Sequence, residues 1–84
     1  MKITEKIIRY VYVVANTLGN GFLEKVYENA LAHELRKSGF LVEQQKGINV
    51  RYDGVVVGDY MADLIVQKEI IVELKAVKAL DNTI

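Results

Sequence analysis

The chain has 84 residues, 51% hydrophobic and 26% charged, the balance of one folded domain rather than of a disordered segment. Its 11 basic and 11 acidic residues cancel, so no overall positive field draws nucleic acid, and such binding must come from a local patch. With no cysteine, disulfides and thiolate metal sites are excluded, and a cytoplasmic location is expected.

Met1-Lys2-Ile3-Thr4-Glu5-Lys6 lacks the layout of a signal peptide, and no apolar run in the chain is long enough to span a bilayer. Ile3, Ile7, Ile8, Val11, Val14, Ala15 and Leu18 recur at three- and four-residue spacing, which predicts a helix with Thr4 as its N-cap. Gly19-Asn20-Gly21 interrupts it with turn-forming residues. A second helix is expected from Phe22 to Ser38, with Leu23, Val26, Tyr27, Ala30, Leu31 and Leu35 inward and Gly39 closing it in a left-handed conformation. Lys25, Arg36 and Lys37 alternate with Glu28 and Glu34, which reads as a solvated face of this helix. His33, the single histidine, has no partner ligand in sequence and is expected at the surface.

After Gly39 the period shortens to that of strands. Phe40–Lys46 and Ile48–Tyr52 alternate, Asp53-Gly54 signals a hairpin turn before Val55-Val56-Val57, and Gly58-Asp59 is read as a further break. A sheet of four or five strands is expected. Gln44, Gln45, Lys46, Arg51 and Tyr52 read as an exposed hairpin, the alternative being contact with a nucleic-acid backbone. Asp81 and Asn82, two N-cap residues almost at the end, read as the start of an element the chain does not contain, so truncation is expected.

The stretch from Tyr60 to Lys75 carries the chemistry. Its apolar residues predict an antiparallel hairpin with Gln67-Lys68-Glu69 as the loop, Val66 opposite Ile70, Leu64 opposite Val72 and Asp63 opposite Glu73. Lys75 then emerges on the face of Glu73. Facing carboxylates about 4.5–5.5 Å apart at Cβ repel, so something positive must lie between them. Lys75 supplies one charge and a divalent cation would supply two. Mg²⁺ binds one or two carboxylates, keeps water and engages phosphate oxygens, which points to phosphodiester hydrolysis with Lys75 serving the attacking water. A solvated edge hairpin with Lys75 bridging both acids explains the same residues. Spacing alone does not separate the two.

Asp63 followed by Glu73-Leu74-Lys75 resembles the aspartate and E-x-K half-motifs of the PD-(D/E)XK nuclease superfamily. Gly21-Phe22-Leu23-Glu24-Lys25-Val26-Tyr27 fits G-x-x-E-x-x-Y, and the chain resembles the GxxExxY family of that superfamily over nearly its whole length. Ala62 stands where the superfamily's name has proline. The resemblance implies an α+β fold: two N-terminal helices packed on a mixed, mainly antiparallel sheet, a restriction-endonuclease-like core lacking its last helix and strand.

It further implies a Mg²⁺ (or Mn²⁺) site formed by Asp63, Glu73 and the carbonyl of Leu74, with Glu24 reaching it directly or through water. Lys75 would be the group that serves the water. Tyr27 is expected to support the core and Gly21 to let the helix start pack close to the sheet. The implied activity is metal-dependent nucleic-acid hydrolysis, with DNA placed ahead of RNA as partner. The alternative is a non-catalytic, dimeric binding or assembly module derived from a truncated nuclease fold. In either case a homodimer is expected, because apolar surface left uncovered recruits a partner.

Overall fold

A computed structural model describes residues 2–74. Helix α1 (Ile3–Leu18) leads into helix α2 (Glu24–Lys37), followed by strands β1 (Val42–Tyr52), β2 (Val55–Val66) and β3 (Ile70–Val72). The strands form one antiparallel sheet in the order β1-β2-β3. The α+β class and the helix–helix–sheet order agree with the sequence reading. No helix among the described residues is long and apolar enough to cross a membrane.

Both helix starts differ from expectation. Helix α1 follows the extended residue Lys2, which places Thr4 inside the first turn rather than at the cap. Gly21, at φ +98°, and the extended Leu23 hold the chain out of helical conformation until Glu24. Gly21 meets nothing within 4 Å of where a Cβ would stand, so its role is the left-handed backbone and not close packing on the sheet. The end of α2 is as expected. Gly39, at φ +93°, donates its N–H to Arg36, and Phe40 donates to Leu35, the paired bonds of a Schellman motif.

The inward stripe of α2 is rotated from the predicted one. Leu31 and Leu35 are buried as expected, but so are Glu28 and Ala32, whereas Leu23 is exposed and Val26 largely so. On α1 only Ile7 and Val14 are fully buried; Ile8, Val11 and Ala15 face outward. The reason is coverage: α1 packs chiefly on α2, so only a narrow stripe of it finds a neighbour. The core joins Ile7 and Val14 to Leu31, Ala32 and Leu35 of α2 and to Val42, Leu64 and Val66 of the sheet.

Three strands stand where four or five were expected among these residues. Gly47 and Gly58-Asp59 do not break the chain; β1 and β2 run through them, and a register shift between Val50 and Arg51 absorbs Val57 as an extra residue. The β2–β3 hairpin has the predicted pairing, Leu64 with Val72, Ile65 with Ile71 and Val66 with Ile70. Its loop puts Gln67 and Lys68, at φ +58° and +60°, in the left-handed region.

Candidate active site

Three elements and the segment after β3 meet around an open hollow of about 190 Å³. The first turns of α2 supply Glu24, Lys25 and Glu28; β1 supplies Gln45, β2 supplies Asp63, and Leu74 closes one side. Glu24 and Glu28, four residues apart, lie on one face of the helix, which is why both reach the same hollow.

Glu28 is the one buried charged side chain among the described residues, only 4% exposed. An isolated carboxylate in that position would be costly, and the surrounding groups answer every part of it. Its Oε2 accepts from Lys25 Nζ at 3.0 Å and from Gln44 Nε2 at 2.7 Å; its Oε1 accepts from Gln45 Nε2 at 2.7 Å. Gln44 is itself fixed, its carbonyl oxygen accepting from Arg36 at 3.0 Å and its amide also donating to Asn29 at 2.8 Å. Burial pushes the Glu28 carboxyl up, but the hydrogen bonds from Gln44, Lys25 and Gln45 and the Lys25 charge outweigh it and hold Glu28 below its ordinary value. The expected solvated pair of Lys25 and Glu28 is therefore present as a contact but absent as a solvated face.

Asp63 is half-buried, and both of its carboxylate oxygens are engaged. Oδ2 accepts from the Leu74 N–H at 2.7 Å, and Gln45 Nε2 approaches Oδ1 at a longer 3.4 Å. The ladder ends at Val72, so Glu73 does not continue the pairing with Asp63. Its side chain is exposed and accepts a hydrogen bond from the Tyr60 hydroxyl. That bond, then burial and the negative charges of Glu73 and Asp63, push the Tyr60 phenol above its ordinary value. Glu73 is thus not among the residues lining the hollow, while Glu24, Asp63 and Leu74 are. Lys75 lies outside the described residues.

Three carboxylates and one ammonium line the hollow, which leaves it two charges negative. Such a hollow repels a phosphodiester by itself and attracts a cation. Its charged ligand atoms are carboxylate oxygens, the donor type that suits a hard ion such as Mg²⁺ and not a soft one. Among the described residues no three acidic, histidine or cysteine groups are gathered closely enough to hold a metal ion, and Glu73 is turned to Tyr60. The donor chemistry of the hollow suits a divalent cation, and Glu73 as placed lies outside it.

Of the residues expected elsewhere, Tyr27 is half-buried against the core and donates its hydroxyl proton to the Gly19 carbonyl at 2.5 Å, the supporting role anticipated for it. His33 is exposed, also as anticipated. Gln44 and Gln45, assigned to an exposed hairpin, both bond Glu28; Gln45 is exposed as expected, and Gln44 is half-buried. Glu28 lines the hollow although it was expected on a solvated helix face, and its spacing from Glu24 was the available signal. Gln45 also lines the hollow, and nothing in the sequence pointed to its bond with Glu28 or to that of Tyr60 with Glu73.

Two helices leading into an antiparallel hairpin, with a helix acid and a strand acid around one hollow, define an α+β protein built like a nuclease core. Residues 1–84 match the PD-(D/E)XK nuclease superfamily, and the chain belongs to it. No curated protein and no solved structure matches the chain.

Proposed function

We propose that the chain is a metal-dependent nuclease-like domain of the GxxExxY type that hydrolyses nucleic-acid phosphodiester bonds, with DNA the preferred partner. Superfamily membership supports the nuclease class. The observation that carries the assignment to this site is the convergence of Glu24, Asp63 and Leu74 on one negative hollow. Asp63, Glu73 and the Leu74 carbonyl would hold Mg²⁺ or Mn²⁺, with Glu24 acting directly or through water. A bound divalent ion would supply charge stabilisation at the phosphate and a more acidic water.

The chain's own residues do the rest. Asp63 is fixed by the Leu74 N–H, so its carboxylate needs little reorganisation on binding. Glu73 would leave the Tyr60 hydroxyl to join it. Lys75, two residues on, would serve the water. Glu24, at the start of α2, stands where the helix dipole favours an acid and lines the hollow.

A second reading has one observation in its favour. Val55, Val56 and Val57 are all exposed on β2, an apolar surface of the kind that a homodimeric binding or assembly module would cover. One experiment separates the readings. At about 100 times Kd, Mg²⁺ stabilises a protein that binds it only when folded by about 2.7 kcal/mol. Melting curves with and without Mg²⁺ should show this rise in the full chain and not in Asp63→Asn. Cleavage of DNA or RNA should fall by about a hundredfold or more in Glu73→Gln. A metal-insensitive melting curve and no cleavage of any substrate would leave the binding module as the better account.

A further inference from the structure

Glu28 and Gln45 take no part in the chemistry proposed above, yet they are among the most firmly held polar groups near it. Gln45 stands at φ +50°, a left-handed conformation that a side-chain-bearing residue rarely adopts without cause. It does so at one point in the sheet. The β1–β2 ladder pairs Gln44 with Leu64 and Lys46 with Ala62, and passes over Gln45 and Asp63 between them. The local departure from strand geometry brings the Gln45 amide between two carboxylates, 2.7 Å from Glu28 Oε1 and 3.4 Å from Asp63 Oδ1. A primary amide has two N–H bonds and can serve both. The far end of this chain is anchored, because Glu28 is buried and also held by Lys25 and Gln44.

Resting on the nuclease-like reading of the hollow, we infer that Gln45 is a positioning residue: tied to buried Glu28, its amide fixes Asp63 so that a divalent cation meets a preset ligand. With the Leu74 N–H on Oδ2 and Gln45 on Oδ1, the Asp63 carboxylate is held at both oxygens. Gln45 also separates two like charges that would otherwise face each other across the sheet and helix.

Groups that orient metal ligands change metal affinity by about ten- to a hundredfold when removed. Two variants of the full chain test the role by Mn²⁺ titration calorimetry. Gln45→Gly removes the amide at a backbone angle glycine prefers, so the fold is retained, and the unfolding midpoint without metal checks this. Gln45→Met keeps the length and removes the amide. Both are expected to bind Mn²⁺ about tenfold more weakly than wild type, with a cooperative metal-free unfolding transition retained in Gln45→Gly. Wild-type Mn²⁺ affinity in both variants would overturn the inference and leave the nuclease reading standing.

A metal-free measurement keeps the two failures apart. The Gln45 side-chain amide resonances should move in both Glu28→Gln and Asp63→Asn. Shifts in neither variant would overturn the tie directly. Shifts in both, beside a wild type that takes up no Mn²⁺, would overturn the nuclease reading and the metal-positioning role while leaving the tie itself in place.

Discussion

Strand β2 contains two apolar triplets of nearly the same composition with opposite fates. Leu64-Ile65-Val66 is buried, under α2 and between β1 and β3. Val55-Val56-Val57 is exposed, in a ribbon that β1 and β2 form alone beyond the helices. Side-chain hydrophobicity is the same in both, so coverage by other elements decides burial. The functional consequence is spatial. The covered end of the sheet is where Asp63 and the exposed Gln45 sit, next to Ala62 and Leu64, which have no exposed surface at all. A site needs its ligands held by packed neighbours, and only this end provides them.

The largest expected effect follows from that contrast. Leu64→Ala should cost about 2–5 kcal/mol in a urea melt, since it opens a cavity in the core cluster that Leu64 shares with Leu31, Leu35 and Val66. For a domain whose total stability is about 5–15 kcal/mol, such a loss approaches unfolding. Val56→Ala, on the ribbon, should stay within about 0.5 kcal/mol. Comparable losses at the two positions would break the comparison and show that something, such as a second copy of the chain, covers the ribbon in solution.

A smaller effect separates the polar hub from the apolar core at the same end of the sheet. Glu28→Ala removes the acceptor for Lys25, Gln44 and Gln45, and a cost of about 1–3 kcal/mol is expected. The sign of the pH dependence is fixed by the direction of the shift. Glu28 is held below its usual 4.5, so the folded state favours the ionised form. Its contribution is complete above that range and is lost as pH falls from about 4.5 through the folded value. Wild type should therefore lose more stability than Glu28→Gln over that interval, as read from urea midpoints at stepped pH. Parallel pH curves for the two proteins would mean the carboxylate is solvated after all.

The parts of the fold that were legible in the sequence are those written in local pattern. Gly39 after a periodic helix gave the end of α2, and the apolar run on either side of Gln67-Lys68-Glu69 gave the hairpin register, because a one-residue slip would have mixed its faces. The rotation of α2 was not legible. Periodicity weighs Leu23 and Val26 as inward residues, but the position of the sheet turns Glu28 inward instead, and its burial depends on Gln44 and Gln45 sixteen and seventeen residues away. For the site, sequence motifs singled out Glu24, Asp63 and Leu74, and these meet at one hollow. The same motifs could not tell that Glu73 points elsewhere, since that depends on a cross-strand tyrosine thirteen residues upstream.

That tyrosine supplies the smallest and most local prediction. Tyr60 donates to Glu73, so its neutral form is favoured and its ionisation is displaced upward, first by that bond, then by burial and the charges of Glu73 and Asp63. Ultraviolet titration of the phenols, with Tyr60→Phe as the subtraction control, should find one group titrating above the ordinary range near 10. Glu73→Gln removes the charged acceptor and should bring that group back down. Tyr60→Phe also leaves Glu73 without its donor, so the carboxylate no longer has to give up a hydrogen bond to turn toward the hollow. Mn²⁺ affinity in this variant should rise, opposite in sign to the change expected on removing the Gln45 amide. An unchanged affinity would mean that the bond to Tyr60 does not compete with the metal, and that Glu73 stands outside the site for another reason.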